Sequence, residues 1–237
     1  LRVDERSTSS CILYLNGEYW GVYEVREKVD DTDFLSYYYD QDEIYRGSAD
    51  YLQFLKTWGN TWTKYGDGIP GTGSIALNAW DDFVDFVAAN PMNNQVNYIQ
   101  AKSQYNMGSL IDYFLLNSYV VCQDWLNWNT AWWRGMDPNG NKKKWRYTLW
   151  DMDNTFDHGT NYTGIPSAEH DASPCDASTL PPNLGGQGHV GIWNEMLTNQ
   201  EFHDEYINRW QDLANGGLSC DFMTYVLDSM IAVIEPE

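Results

Sequence analysis

The sequence predicts an α+β fold in two lobes, a small β-rich part over about 1–76 and a larger, mainly helical part over about 77–237. Three observations carry that expectation. Early residues alternate about an Asn16-Gly17 step, helical periods dominate from residue 77 onward, and a hairpin interrupts the helices near the middle. The whole of 1–237 reads as a single domain.

Residues 11–27, CILYLNGEYWGVYEVRE, place Asn-Gly between two apolar runs, the strongest short-range signal for a β-hairpin. Asp31-Thr32-Asp33 opens a short helix through Phe34, Leu35 and Tyr38. A strand is expected at Glu43-Ile44-Tyr45-Arg46, a helix over 49–57, and a Gly/Thr/Trp-rich loop over 58–76. The loop's Trp58, Trp62 and Tyr65 either cap the core or cover a groove. LNAWDDFVDFVAA, residues 77–89, is an amphipathic helix closed by Asn90-Pro91. The next begins near Asn106; its SLIDYFLLNSYVV is apolar on most of its circumference and is expected at the centre of the fold. A hairpin follows, then a loop over 158–189, then three helices.

Composition narrows the function. Aromatic residues make up 16%, with 12 Trp and 17 Tyr, which favours a packed globule over disorder. A formal charge of −20 repels nucleic acid and anionic membrane, and it attracts cations and basic partners. No apolar stretch is long enough to span a membrane. The opening LRVDERSTSSC has neither an initiator Met nor a signal peptide and reads as an N-terminally incomplete segment. Cys11, Cys122, Cys175 and Cys220 lack zinc spacing; two disulfides or small buried thiols are both compatible with them. The four His (158, 170, 189, 203) lack helical metal spacing, and His158 is either a contact behind a metal loop or a surface residue.

The chemistry concentrates in residues 123–157, QDWLNWNTAWWRGMDPNGNKKKWRYTLWDMDNTFD. Asp124 and Asn129 stand five positions apart, and Asp151 and Asp153 follow the hairpin. Hard oxygen donors from two neighbouring loops are what Mg²⁺ held against a phosphate requires. Protein kinases use the same order: a loop Asp as base, an Asn five residues on, then a metal-binding Asp beyond a hairpin. The bland reading is that Asp124 and Asn129 only cap a helix end and a turn. Asp151-Met152-Asp153-Asn154-Thr155 also fits the DxDxT of haloacid-dehalogenase-type phosphatases. That fold needs a later Lys, and none follows Lys144.

LYLNGEYWGVYEVREKVD, IDYFLLNSYVVCQDWLNWN, WRYTLWDMDNTF and NQEFHDEYINRWQDLANGG, in that order, resemble the spore coat protein H (CotH) kinase family of atypical, secreted or surface-associated kinase-like proteins. The resemblance implies a kinase-like fold and transfer of the ATP γ-phosphate to a protein hydroxyl with Mg²⁺ or Mn²⁺. It implies Asp124 as the catalytic Asp, Asn129 and Asp151 as metal ligands, and Arg46, ion-paired with Glu27, as the charge on the nucleotide phosphates. Asp153 either ligates a second metal or caps the next turn. Arg46 stands where the family usually has Lys, a fork in place of a point charge. The location implied is extracellular or at a cell or spore surface, and the acidic charge calls for a basic Ser/Thr-containing protein substrate. A non-catalytic alternative is a surface module that holds glycan or a basic protein on exposed Trp.

Overall fold

The computed structural model describes residues 1–41, 52–66, 74–122, 125–126, 128–137, 143–156 and 187–235. It is an α+β fold of two antiparallel sheets and, among the described residues, seven helices. The expected strand at 43–46 and most of the loop at 158–189 lie outside the described residues.

Strands β1 (Thr8–Leu15) and β2 (Glu18–Arg26) form the expected hairpin. Asn16 and Gly17 both take positive φ, 53° and 84°, the pair of angles a type I′ turn demands. Helix α1 (Thr32–Tyr39) starts where expected, Asp31 capping it by accepting from the Asp33 amide.

The second sheet has the order β4-β3-β5-β6, built from β3 (Leu52–Trp58), β4 (Asn60–Tyr65), β5 (Thr130–Gly135) and β6 (Arg146–Thr148). Two sequence expectations give way here. The helix over 49–57 is, from residue 52, a central strand; the loop over 58–76 contains a strand from Asn60 to Tyr65. The physical reason is burial. Every residue of β3 from Leu52 to Thr57 is buried, so LQFLKTW shows no alternation and periodicity cannot separate it from a helix. The sheet's pleat sends Leu55 and Trp132 into one core and Phe54 and Trp133 into another, on opposite faces. β3, from the first 76 residues, hydrogen-bonds to β5, so strands from both expected parts share one sheet.

The larger core lies on the helical face. Helix α2 (Ile75–Ala89) buries Ala76, Trp80, Phe83 and Val87, one helical stripe. Helix α4 (Met107–Tyr119) is capped by Asn106 and buried on nearly every side, as its composition required. Between them α3 (Gln95–Gln104) was not anticipated, because only Tyr98 and Ala101 are buried and QVNYIQAKSQ carries no apolar stripe. The three C-terminal helices are α5 (His189–Leu197), α6 (Gln200–Ala214) and α7 (Cys220–Ile234). Cys122 is buried, and among the described residues Cys11, Cys122 and Cys220 form no disulfide with one another.

Two buried carboxylates tie the N-terminal segment to this frame. Asp112 on α4 accepts from the Arg2 amide (2.7 Å) and guanidinium, and from Arg209 on α6 at 2.7 and 2.8 Å. Burial works to raise its carboxyl, but the two guanidinium groups outweigh it and hold it below the usual value. Asp4 accepts from Tyr39 of α1 (2.6 Å), Trp133 of β5 (2.7 Å) and Arg146 of β6 (2.7 Å). Its backbone bonds to Tyr147 and Leu149, so one residue secures α1, β5 and both ends of β6.

His189 is a core residue. It packs against Trp80, Trp132 and Tyr147, with Nδ1 2.8 Å from the Tyr147 hydroxyl. Burial pulls its pKa down from 6.5 to about 3, so the folded chain holds it neutral while the unfolded chain protonates below 6.5. The unfolded state then binds the extra proton, and stability falls with pH. From pH 6.5 to about 5 urea titration should show His189 alone costing roughly 1.5 kcal/mol; His189→Gln should lack that slope. Asp4→Asn should cost about 3–5 kcal/mol, because it strands a buried guanidinium; an unchanged denaturation midpoint would remove Asp4 from its place in the frame.

Candidate functional site

Strand register gathers the site. Ala131 of β5 lies opposite Lys56 of β3 on one side and Thr148 of β6 on the other. Thr130 lies opposite Thr57. Asn129, just before β5, and Trp150-Asp151, just after β6, therefore emerge at the same end of the sheet as Lys56. Asn129 is buried, and Asp151 and Asp153 are exposed. Asp124, Arg46 and His158 lie outside the described residues.

Lys56 is the residue that sequence reading missed. Its Nζ is 2.9 Å from Asp30 Oδ2 and 3.4 Å from the centre of the Trp150 ring, the residue before Asp151. Burial is the largest influence on both partners. It pulls the Lys56 ammonium below the ordinary lysine value, and the Asp30 bond and charge restore part of that. It pushes the Asp30 carboxyl up, but Lys56, Lys64 and Lys28 outweigh it and hold Asp30 below its usual value. Asp30 thus stays ionised and keeps a charged partner beneath the site. A lone Lys inside a buried apolar strand was the one available signal, because such residues are almost never buried unless paired.

Aromatic rings flank this pair. Trp62 meets Trp150 edge to face at 6.2 Å, and Trp58 meets Trp128 edge to face at 5.0 Å. Gly59 makes the second contact possible: its φ is +71°, and a Cβ there would stand 3.1 Å from the Trp128 ring.

The loops around the site hold non-glycine residues in the left-handed region: Val121, Leu126, Asn129, Asp151 and Phe156. Such angles cost energy, most for a β-branched residue such as Val121. They persist because the ends are held. The Phe156 amide donates to the Val120 carbonyl at 2.5 Å, joining the loop after β6 to the end of α4, and Trp125 packs on Phe114. Thr155 Oγ1 donates to the Met152 carbonyl across Asp153.

Glu27 lies just after β2, three residues before Asp30. It accepts from the Ser7 amide (2.9 Å) and the Tyr38 hydroxyl (2.7 Å), and these bonds lower its pKa. Among the described residues no group of three His, Cys, Asp or Glu side chains could hold a metal by itself. The donor types at the sheet end suit a hard cation: Asp151 is an exposed carboxylate just after β6, Asn129 an amide just before β5, and the two strands are paired.

The model of the CotH kinase protein family matches residues 1–237, the whole chain. The chain belongs to the CotH kinase family. No curated protein matches it. Membership carries kinase-like chemistry, with nucleotide and divalent metal use in general terms and a protein substrate. No helix among the described residues is long and apolar enough to cross a membrane. The entirely antiparallel pairing of the four-stranded sheet also disfavours the phosphatase reading of DxDxT, which needs βα units after the motif.

If Lys56 depends on Asp30 to remain buried and charged, Asp30→Asn should lower stability by about 3 kcal/mol. Asp30→Asn with Lys56→Met should recover most of it, as a urea double-mutant cycle would register.

Proposed function

We propose that this CotH-family chain transfers the γ-phosphate of ATP to a hydroxyl of a protein substrate, at the end of the four-stranded sheet. The observation that carries this reading is Lys56, ion-paired to Asp30 and lying over Trp150, one residue from Asp151 and in register with the start of β5. Phosphoryl transfer asks a protein mainly for positioning and charge neutralisation. Lys56 supplies a fixed ammonium for phosphate oxygens, and Asp30 holds its orientation. Asn129 and Asp151 would hold Mg²⁺, which supplies neutralisation of the phosphate charge, and Asp153 is the candidate for a second ion. Asp124 would accept the hydroxyl proton. Arg46 and Glu27 remain the resemblance's candidates on the nucleotide. A chain of net charge −20 repels bare ATP, so the cation is a condition of binding. The same charge favours a basic Ser/Thr substrate, and the proposed location is extracellular or at a cell or spore surface.

One observation favours a second reading, a binding module without turnover. Trp58 and Trp62 are 61% and 40% exposed, as a glycan platform would need. Their contacts with Trp128 and Trp150 place them beside the proposed nucleotide site, which fits equally well with walls of that site.

Calorimetry with ATP and Mg²⁺ separates the two. Asp151→Asn should abolish metal-dependent nucleotide binding, and Lys56→Met should weaken it by about ten- to a hundredfold, the worth of a hydrogen bond to a charged group. Wild-type affinity in both variants, with no transfer of labelled phosphate to a basic Ser-rich protein, would overturn the proposal.

A further inference from the structure

A concavity lies beside the loop that carries Asp30. It has a volume of about 350 Å³ and is walled by Phe34, Tyr37 and Tyr38 of α1 together with Glu27, Asp31 and Asp33. The rings are set against one another: Phe34 and Tyr38 are 4.7 Å apart, and Tyr37 and Tyr38 meet edge to face at 4.8 Å. Tyr37 is 81% exposed and Tyr38 45%, so the aromatic surface is presented and not consumed in the core. Facing it, among the described residues, are the carboxylates of Glu27, Asp31 and Asp33 and the ammonium of Lys28, which stands 3.9 Å from Asp31. The Tyr38 hydroxyl, by donating to Glu27, joins the aromatic wall to the acidic one.

Aromatic faces with adjacent carboxylates select organic cations, since the ring quadrupole and the anionic charge attract the same ligand. A bare phosphate would meet net negative charge, so Glu27 can serve the nucleotide only through a cationic partner such as Arg46. The volume is at the small end of ligand sites, enough for one side chain and not for a folded partner. We propose that this cavity is a subsite for a guanidinium or ammonium side chain of the acceptor polypeptide. The word acceptor rests on the kinase reading above; the cation preference rests on the cavity alone. The charge of −20 steers basic polypeptides toward this surface and disfavours acidic ones. Geometry connects the two sites. Residues 27–31 turn Glu27 and Asp31 into the cavity and Asp30 under Lys56, so a basic residue seated here tethers its neighbours within one short loop of the proposed phosphate site.

The test is fluorescence anisotropy of a labelled Ser-containing peptide with a single Arg, and of its citrulline counterpart, measured without nucleotide or metal. The Arg peptide should bind and the isosteric neutral peptide should bind at least about tenfold more weakly. Tyr37→Ala and Asp33→Asn, both at exposed positions, should each weaken the Arg peptide several-fold while leaving calorimetric Mg²⁺-ATP affinity unchanged. Equal binding of the two peptides, or variants that bind the Arg peptide like wild type, would overturn the subsite. Tetramethylammonium binding with no peptide binding would overturn its polypeptide occupant. Arg-dependent, Tyr37-dependent binding without nucleotide affinity would leave the subsite standing and sink the kinase reading. Nucleotide binding with charge-blind peptide binding would do the reverse.

Discussion

The frame depends on one buried carboxylate. Asp4 receives hydrogen bonds from the Arg146 guanidinium, the Trp133 indole and the Tyr39 hydroxyl, and its backbone joins the end of β6. A charge in that position is tolerable only because the guanidinium and two neutral donors replace the water it lost. The consequence reaches the site directly. Leu149 donates its amide to the Asp4 carbonyl, and Trp150 and Asp151 come next, so the sheet end is positioned from a residue near the N-terminus. Without that clamp β6, three residues long, would rest on β5, the Ser109 hydroxyl that accepts from the Tyr147 amide, and the backbone bonds of Trp145.

With the strand ends fixed, the loops beyond them can take conformations they would not choose. Asn129 and Asp151 are both left-handed, at φ 46° and 55°. Asn and Asp tolerate that region better than most residues, and a turn of this kind re-aims a side chain at the strand's end. Val121 and Phe156 lack that tolerance, and the bond between the Phe156 amide and the Val120 carbonyl is what holds their segments together. Strain of this sort is stored where a scaffold over-determines the loop, and here it surrounds the residues that the family pattern marks.

What could be read from the sequence was local. Asn16-Gly17 specifies its turn, Asn106 and Asp31 announce their helices, and SLIDYFLLNSYVV advertises burial by being apolar all round. The places of Asn129 and Asp151 were legible for the same reason, since each lies by the end of a strand. What stayed hidden joins residues far apart in the chain. Lys56 finds Asp30 across 26 positions and Arg146 finds Asp4 across 142, and neither pairing leaves a local trace. β3 was hidden by its success as a central strand, buried on both faces and so stripped of alternation. Helix α3 was hidden by the opposite condition, two buried residues in a polar surface.

The position of Lys56 also resolves a conflict in the composition. The chain carries 34 acidic residues against 14 basic ones, a poor starting point for binding a polyphosphate. Yet three of the lysines, Lys56, Lys64 and Lys28, act together on the single carboxylate of Asp30. Lys56 and Lys64 over the one Asp30 carboxylate leave a local positive charge, an island within an acidic surface, and burial of Lys56 keeps water from screening it. Trp150 covers one side of that island, so the Lys56 charge is shared between a carboxylate and an aromatic face instead of being dispersed into solvent. On the proposed reading, a phosphate that arrives with its cation meets a pre-formed ammonium whose counter-charge is already fixed behind it.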